Sequence, residues 1–168
     1  MNPPRWIDRA LFDALSAHAA DTPRRRRHHN FHSDETAPAH RLLNALEPDS
    51  YVRPHRHCAP DKDETLLCVR GALGCLIFDE SGALLSHCVL RPEGDAVGVD
   101  LPHGCFHSVV ALEPGTVLFE CKAGPYRPLT EPELAAWAPA EGSPQARGYL
   151  DWMHSVLRTG TGTRKRGR

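Results

Sequence analysis

The chain divides into three stretches by the spacing of its apolar positions. The first predicts an amphipathic helix over residues 7–20, because its apolar positions recur at intervals of three and four. That apolar stripe comprises Ile7, Leu11, Ala14 and Leu15. From about residue 41, short apolar runs alternate with turn residues, a pattern typical of a β-sandwich or barrel. The predicted strands are residues 41–46, 51–57, 64–70, 72–79, 83–90, 96–101, 106–112 and 116–122.

The third stretch predicts two short helices and a tail. Thr130-Glu131-Pro132-Glu133 forms a capping box before a helix over residues 134–137. Ser143-Pro144 opens the second helix. Its apolar side comprises Tyr149, Leu150, Met153, Val156 and Leu157. Residues 159–168 are polar and basic, and we predict that they are disordered. The predicted organisation is one domain over residues 1–158 with flanking helices.

Composition excludes several classes of protein. The chain has 168 residues, of which 40% are apolar and 24% charged, an ordinary balance for a globular domain. The 20 basic and 21 acidic residues give a net charge of −1, so no overall field favours nucleic acid or an anionic membrane. No apolar stretch is long enough to span a bilayer and the N-terminus lacks a signal-like run, which predicts a cytoplasmic location. No two of the 6 cysteines form a C-x-x-C pair, and we expect these cysteines to be mainly small, buried hydrophobic residues.

Histidine is the residue type that points to chemistry. On a strand over residues 51–57, the side chains of Tyr51, Arg53, His55 and His57 share one face. Two imidazoles two residues apart on a rigid strand can bind one ion. Glu64 begins the next predicted strand, and a turn leads to His107. Three imidazoles and one carboxylate suit one divalent transition metal ion, such as Zn, Fe, Mn or Ni.

These residues resemble the two motifs of the cupin superfamily. His55-x-His57, Glu64 and Gly71 resemble the first motif, and Pro102-x-Gly104-x-x-His107 resembles the second. The resemblance implies a mainly β fold, a cupin jelly-roll (double-stranded β-helix) barrel with an N-terminal helix and short C-terminal helices. It also implies metal ligation by His55, His57, Glu64 and His107. The gap from His57 to Glu64 is longer than in most cupins, which leaves Asp61 and Asp63 as alternatives to Glu64. Ala111 replaces an Asn that often follows the last histidine.

A narrower resemblance covers nearly all of the chain to about residue 153. The chain is similar to the WbuC family of cupin-fold metalloproteins, found with bacterial O-antigen and polysaccharide genes. The likeness rests on Arg24-x-Arg26, Asn30-Phe31-His32, Arg41 to Leu46, Tyr51 to His57, Lys62-x-Glu64-Thr65, Phe78-Asp79-x-x-Gly82, Lys122-x-Gly124-x-Tyr126 and Trp137 to Gly142. His28 and His40 stand where that family has Asn and Gln, so we expect a different substrate preference if these positions touch substrate.

The resemblance implies a sugar or sugar-nucleotide ligand but no particular reaction. Cupins include isomerases, epimerases and dioxygenases, so the fold does not choose among them. The alternative is a non-catalytic small-ligand-binding or accessory cupin with a structural metal. A homodimer is a further expectation, because small jelly rolls often pair their exposed sheet edges.

The basic segment 24–32 allows three interpretations. It is a solvated charge run, a nucleic-acid site or a strand; the second is disfavoured because stacking aromatics are missing and the net charge is negative. As a strand, it places Arg26, Asn30 and His32 at the barrel mouth, where they would bind a carboxylate or phosphate. The predicted substrate-binding residues are Arg26, Asn30, His32, Tyr51, Arg53 and Lys62, and the predicted partner is a small anionic molecule. Cys58 and Cys105 could be thiol ligands, although no third cysteine has zinc-finger spacing.

Overall fold

The computed structural model describes residues 3–159. Eight strands lie between two helices along the chain. In order, the elements are α1 (Arg9–Ala20), β1 (Arg26–Asn30), β2 (Ala39–Leu46), β3 (Glu64–Arg70), β4 (Leu73–Phe78), β5 (Leu84–Leu90), β6 (Gly98–Leu101), β7 (Phe106–Ala111), β8 (Thr116–Ala123) and α2 (Ala146–Thr159). The mainly β prediction is confirmed, and β1 corresponds to the strand interpretation of the basic segment.

The strands form two antiparallel sheets. The five-stranded sheet has the order β1-β2-β8-β3-β6, and the three-stranded sheet has the order β5-β4-β7. Their inner faces share one apolar core. It includes Leu46, Leu66 and Leu118 from the larger sheet and Leu73, Leu90 and Ala111 from the smaller one. Alternation along each strand sends every second side chain into this core.

The outer face of the five-stranded sheet is covered by α1. Leu15 and Ala19 pack against Leu43, Ala45 and Val117. The helix begins at Arg9, because the side chain of Asp8 caps it by accepting a hydrogen bond from the N–H of Leu11 at 2.9 Å. The predicted stripe is therefore wrong in two positions. Ile7 precedes the helix and is exposed, and Ala14 faces solvent.

The outer face of the three-stranded sheet is covered by α2 and by residues 124–145, which we call the C-terminal strap. Leu150, Met153 and Leu157 of α2 pack into one apolar cluster with Leu76 and Val110 of the sheet. The predicted apolar side of α2 is therefore correct, although α2 begins only at Ala146.

The helix predicted over residues 134–137 does not form. The capping box is present, but it supports a single 3-10 turn over Glu131–Glu133. Leu134 then adopts an extended conformation and pairs with His55. The chain leaves the helical path because the backbone of the strap bonds to a neighbouring segment instead of to itself.

That neighbouring segment, residues 51–57, is extended but is not the predicted strand. His55 forms a single bridge with His107 of β7, with N···O distances of 3.0 and 2.9 Å. On its other side the N–H of Arg56 donates to the carbonyl oxygen of Glu133 at 2.9 Å. Pro54 has no N–H and cannot donate a backbone hydrogen bond to a neighbouring strand. The segment therefore lies between β7 and the C-terminal strap without forming a continuous strand.

Within residues 3–159 no helix combines the length and apolar character needed to cross a bilayer. The tail that we predict to be disordered, residues 159–168, lies outside the described residues except for Thr159, which ends α2. A single domain over residues 1–158 stays a prediction.

Candidate metal centre

His55 is held in the form that metals bind. Its Nδ1 donates a hydrogen bond to the carbonyl oxygen of Arg53 at 3.0 Å. In a neutral ring this contact leaves Nε2 unprotonated, with its lone pair available. Burial, with the nearby His107, lowers the pKa of His55 to about 3. The imidazole is therefore neutral at neutral pH, as ligation requires.

Glu64 supplies a buried carboxylate at the start of β3. It pairs in register with Lys122 of β8, and Nζ of Lys122 lies 3.4 Å from its Oε2. Burial raises the pKa of Glu64, but contacts with His107 and His57 and the charge of Lys122 outweigh it, so the pKa is lowered overall. The group is therefore an ionised carboxylate in a site with only 4% exposure.

His55, His57 and Glu64 form a group that could hold a metal ion. One ligand atom from each lies within 4.8 Å of the others. Nε2 of His57 is buried without a hydrogen-bond partner within residues 3–159, and it lies 3.6 Å from Oε2 of Glu64. A buried, unpaired ring nitrogen is unfavourable. A cation between this nitrogen and the carboxylate would satisfy both, so the residues fit the expected ion.

His107 lies beside this group and not within it. Its Nε2 is 2.7 Å from Oε1 of Glu64, and its ring centroid is 4.6 Å from that of His55. Nδ1 donates to the carbonyl oxygen of Cys105 at 2.9 Å. The structure therefore brings the four predicted ligands together, although they come from an extended segment, the start of β3 and β7.

His55, Glu64 and His107 line a cavity of about 140 Å3 between the two sheets. Its apolar wall includes Leu46, Val52, Leu66, Val109 and Leu118. Its polar lining consists of Arg26, Asn44, His55, Glu64, His107, Glu120 and Lys122. Three of the four candidate ligands, His55, Glu64 and His107, thus line a partly open space that a small molecule can enter.

Sequence reasoning missed Asn44, Glu120 and Lys122 as site residues. Nδ2 of Asn44 donates to Oε2 of Glu120 at 2.7 Å, and Nζ of Lys122 lies 2.6 Å from Oε1 of Glu120. A signal was present, because Glu120 and Lys122 alternate with Phe119 and Cys121 on β8 and share the face of the buried Leu118. Two charges on the inner face of a strand mark a polar site.

Among the predicted substrate-binding residues, Arg26 lines the cavity. Its guanidinium is already engaged: Nη1 donates to the carbonyl oxygen of Tyr51 at 3.0 Å, and Nη2 lies 2.7 Å from Glu141. Arg24 forms a bidentate pair with the same carboxylate, and Arg25 pairs with Asp49. Arg24 and Arg26 of the basic segment therefore hold the C-terminal strap at Glu141, and Arg25 holds the turn that contains Asp49.

Asn30 ends β1 and His32 follows it, and neither residue lines the cavity. Asn30 is exposed. His32 stacks on His40 with ring centroids 4.0 Å apart, and its Nδ1 contacts the backbone of Arg41. Burial lowers the pKa of His40, so it is neutral at neutral pH. These two predicted contacts stay predictions.

Tyr51, Arg53 and Lys62 contact backbone carbonyl groups instead of the cavity. The hydroxyl of Tyr51 donates to Pro139 at 2.9 Å, and Nη2 of Arg53 donates to Ala135 at 2.7 Å. Nζ of Lys62 donates to Ala123 and Pro125 at 2.5 and 2.7 Å. Each side chain ties residues 51–62 to the chain beyond β8, and a role in ligand binding stays a prediction for all three.

The alternative ligands point elsewhere. Asp63 accepts hydrogen bonds from the backbone N–H and the ring of His103, each at 2.7 Å, and Asp61 lies 3.7 Å from Arg127. Cys58 is exposed. Burial raises the pKa of Cys105, which packs against the inner apolar core. None of these side chains belongs to the group that could hold an ion.

The prediction that the cysteines are mainly small, buried hydrophobic residues is confirmed only in part. All 6 thiols are free. Cys68 and Cys75 are buried hydrophobes, whereas Cys58 and Cys88 are exposed.

Solved structures with a similar fold include cupins. A cupin superfamily protein from Desulfitobacterium hafniense has a TM-score of 0.51 and 11% identity, with 73% of this chain and 95% of that chain covered. KdgF from Halomonas sp. has a TM-score of 0.48 and 20% identity, covering 64% and 85%. A conserved protein of unknown function from Streptococcus pyogenes, SPY1581, has a TM-score of 0.49 and 10% identity, covering 76% and 93%. No curated protein matches the chain.

The two antiparallel sheets and the match to the D. hafniense protein show a cupin-type fold, which confirms the predicted mainly β fold with its flanking helices. The chain belongs to the family described as a domain of unknown function, DUF6016, whose model matches residues 7–90. That stretch contains His55, His57 and Glu64, and it ends before His107.

Proposed function

We propose that this protein is a metal-binding cupin of the WbuC type that binds or converts a small anionic sugar or sugar-nucleotide metabolite in polysaccharide (O-antigen-like) metabolism. The observation that carries the proposal is the buried Nε2 of His57, which has no hydrogen-bond partner among residues 3–159 and lies beside the carboxylate of Glu64, a residue of the cavity wall. The WbuC assignment and the pathway rest on the sequence resemblance alone.

Charge favours an anionic ligand. Arg26 and Lys122 on the cavity wall balance Glu64 and Glu120 when the histidines are neutral. A divalent cation would therefore make the lining positive, and a carboxylate or phosphate would be attracted. Burial lowers the pKa of Lys122, but Glu120 and Glu64 outweigh it and raise the pKa overall, so its ammonium stays charged beside the ligand.

Size limits how much of the ligand is enclosed. Pockets that bury drug-sized ligands measure roughly 300–1,000 Å3. The cavity of about 140 Å3 is smaller. It would accept one end of a sugar or sugar nucleotide, with the remainder outside.

The four candidate ligands His55, His57, Glu64 and His107 would hold the ion. When bound, it would supply Lewis-acid polarisation of a ligand oxygen or an activated water. The apolar wall of Leu46, Leu66 and Leu118 would exclude bulk water. Such a site suits an enzyme, such as an isomerase, epimerase or dioxygenase, and it also suits a non-catalytic binding protein. A measurement of substrate turnover separates the two.

Metal analysis tests the site itself. We expect about one equivalent of a transition metal in purified protein, and less than about a tenth of that in a His55→Ala/His57→Ala variant. His103→Ala is the matched control, since this exposed histidine contacts Asp63 outside the group. Full occupancy of the double variant would show that the ligands are wrong. Metal-loaded protein that converts nothing in a panel of nucleotide sugars and sugar acids, yet binds one of them, would favour the non-catalytic alternative.

We also propose that the protein is cytoplasmic and forms a homodimer. Leu67 and Val97, 38% and 47% exposed, lie beside the edge strand β6 and support an edge-to-edge contact. Sedimentation at micromolar concentration tests the dimer.

A further inference from the structure

The end of the cavity beside the candidate metal ligands carries a polar cluster that ligation does not use. Asn44 of β2 and Glu120 and Lys122 of β8 lie on the inner face of the five-stranded sheet. Glu120 accepts from Asn44 at 2.7 Å and lies 2.6 Å from Nζ of Lys122. Three polar groups on an inner face are costly to bury, so they indicate a binding role or a structural network.

The cluster is next to the candidate metal ligands. Lys122 connects the two, because its Nζ contacts Glu120 at 2.6 Å and Glu64 at 3.4 Å. A ligand that fills the cavity therefore meets the candidate metal ligands and the adjacent cluster together.

The cluster offers both donors and acceptors to such a ligand. The two contacts use one lone pair on each Glu120 oxygen, one N–H of Asn44 and one N–H of Lys122. The amide carbonyl and second N–H of Asn44, together with the further lone pairs of Glu120, can bond to a ligand. A hydroxyl group both donates and accepts, so it matches this arrangement. A carboxylate would be repelled by Glu120, which is itself a carboxylate.

We propose that Asn44, Glu120 and Lys122 form a hydroxyl-recognition subsite, and that the cavity takes the hydroxy-acid end of its ligand. The acid group lies toward His55, Glu64 and His107, and a neighbouring hydroxyl bonds to Glu120 and Asn44. The cavity, at about 140 Å3, holds on the order of five water volumes of ~30 Å3 each, which suits a fragment of this size. The inference rests on the proposed function for the orientation of the acid group.

The test compares two probes that differ in hydroxyl groups, D-glycerate and propionate. Calorimetric titrations use the full chain loaded with Zn2+ and the same chain without metal. We expect glycerate to bind at least about tenfold more tightly than propionate, because a polar subsite left unpaired disfavours the analogue. Glu120→Gln keeps the shape and removes the charge, and Asn44→Leu removes the amide. Each should reduce the ratio to below about threefold with metal content unchanged.

Asp100→Asn is the matched control, because this exposed carboxylate lies on the same sheet and accepts from Thr65 at 2.6 Å. Its affinity ratio should equal that of the unmodified protein. Equal affinities for the two probes in the unmodified protein, or an unchanged ratio in the folded Glu120→Gln variant, would overturn the subsite. Metal loss in that variant would also overturn it, since Glu120 would then act on the ligands. If the unmodified protein binds no metal, the proposed function fails, and the ratio in metal-free protein still decides the subsite.

Discussion

The ring of His107 faces an oxygen acceptor on both sides, since Nε2 lies 2.7 Å from Oε1 of Glu64 and Nδ1 donates to the carbonyl oxygen of Cys105. A neutral imidazole has only one N–H. A cation bound by both atoms would therefore satisfy Nε2 of His107 and Oε1 of Glu64 together. Lys122 and His57 lie beside the other oxygen of the same carboxylate, Oε2. Glu64 therefore contacts two of the other candidate ligands and the nearby ammonium group.

Replacing Glu64 by Gln should separate metal binding from folding. We expect metal affinity to fall by about 100-fold or more, because the variant loses the anionic ligand, while the β-core remains folded. Competition with a chromogenic chelator and circular dichroism measure the two effects. Asp63→Asn is the control, since Asp63 is the adjacent carboxylate and points to His103. A larger loss in Asp63→Asn would restore it as the ligand.

Lys62 should contribute to stability more than to ligand binding. Its buried ammonium donates to the carbonyl oxygens of Ala123 and Pro125, while burial lowers its pKa. Lys62→Met should lower the free energy of unfolding by about 1–3 kcal/mol, because two carbonyl groups lose a charged donor. Denaturant unfolding measures this change. Normal stability combined with weaker binding of glycerate would instead support the sequence-based role in ligand binding.

Glu133 should make stability depend on pH through its link between the C-terminal strap and residue 58. Its carboxylate accepts from the N–H of Thr130 at 2.8 Å and from the N–H of Cys58 at 2.9 Å. Burial raises the pKa of Glu133, but these hydrogen bonds outweigh it and lower the pKa to about 2 from 4.5. The unfolded chain therefore binds more protons between these values, so this stabilisation is present above pH 4.5 and lost toward pH 2.

Glu133→Gln measures that contribution directly. We expect the variant to be about 1–2 kcal/mol less stable near pH 7, with the difference shrinking as the pH falls through the window. Denaturant titrations of both proteins across the acidic range provide the measurement. A difference that stays constant with pH would show that the charge of Glu133 has no part in it.

Gly71 should be more sensitive to substitution than Gly142. Both have a positive φ, 76° and 79°, but a Cβ at Gly71 would lie 2.6 Å from Oγ1 of Thr116, whereas a Cβ at Gly142 meets no atom within 4 Å among the described residues. Gly142→Ala should cost about 1–2 kcal/mol from backbone strain alone. Gly71→Ala should cost about 1–3 kcal/mol more, because the packed turn must shift. Thermal unfolding of the pair checks the order, and equal losses would contradict it.

The local pattern was enough for most of the fold. Alternation and turn residues predicted β2 to β8 to within a few residues, because which face a strand buries depends on a two-residue period. The prediction was wrong over residues 51–57 and 134–137, where the two backbones bond to each other. Pairing between segments distant in the sequence leaves no local period.

By itself, then, the sequence determined the strands and proposed the four ligands, since His55, His57, Glu64 and His107 stand at spacings that can be seen in the chain. The tertiary structure alone decided which polar side chains share the cavity with them. Asn44, Glu120 and Lys122 enter it because β2, β8 and β3 are neighbours in one sheet. Arg53 and Lys62 instead reach backbone carbonyl groups. Long side chains can extend in many directions, and only the three-dimensional position of an acceptor selects one.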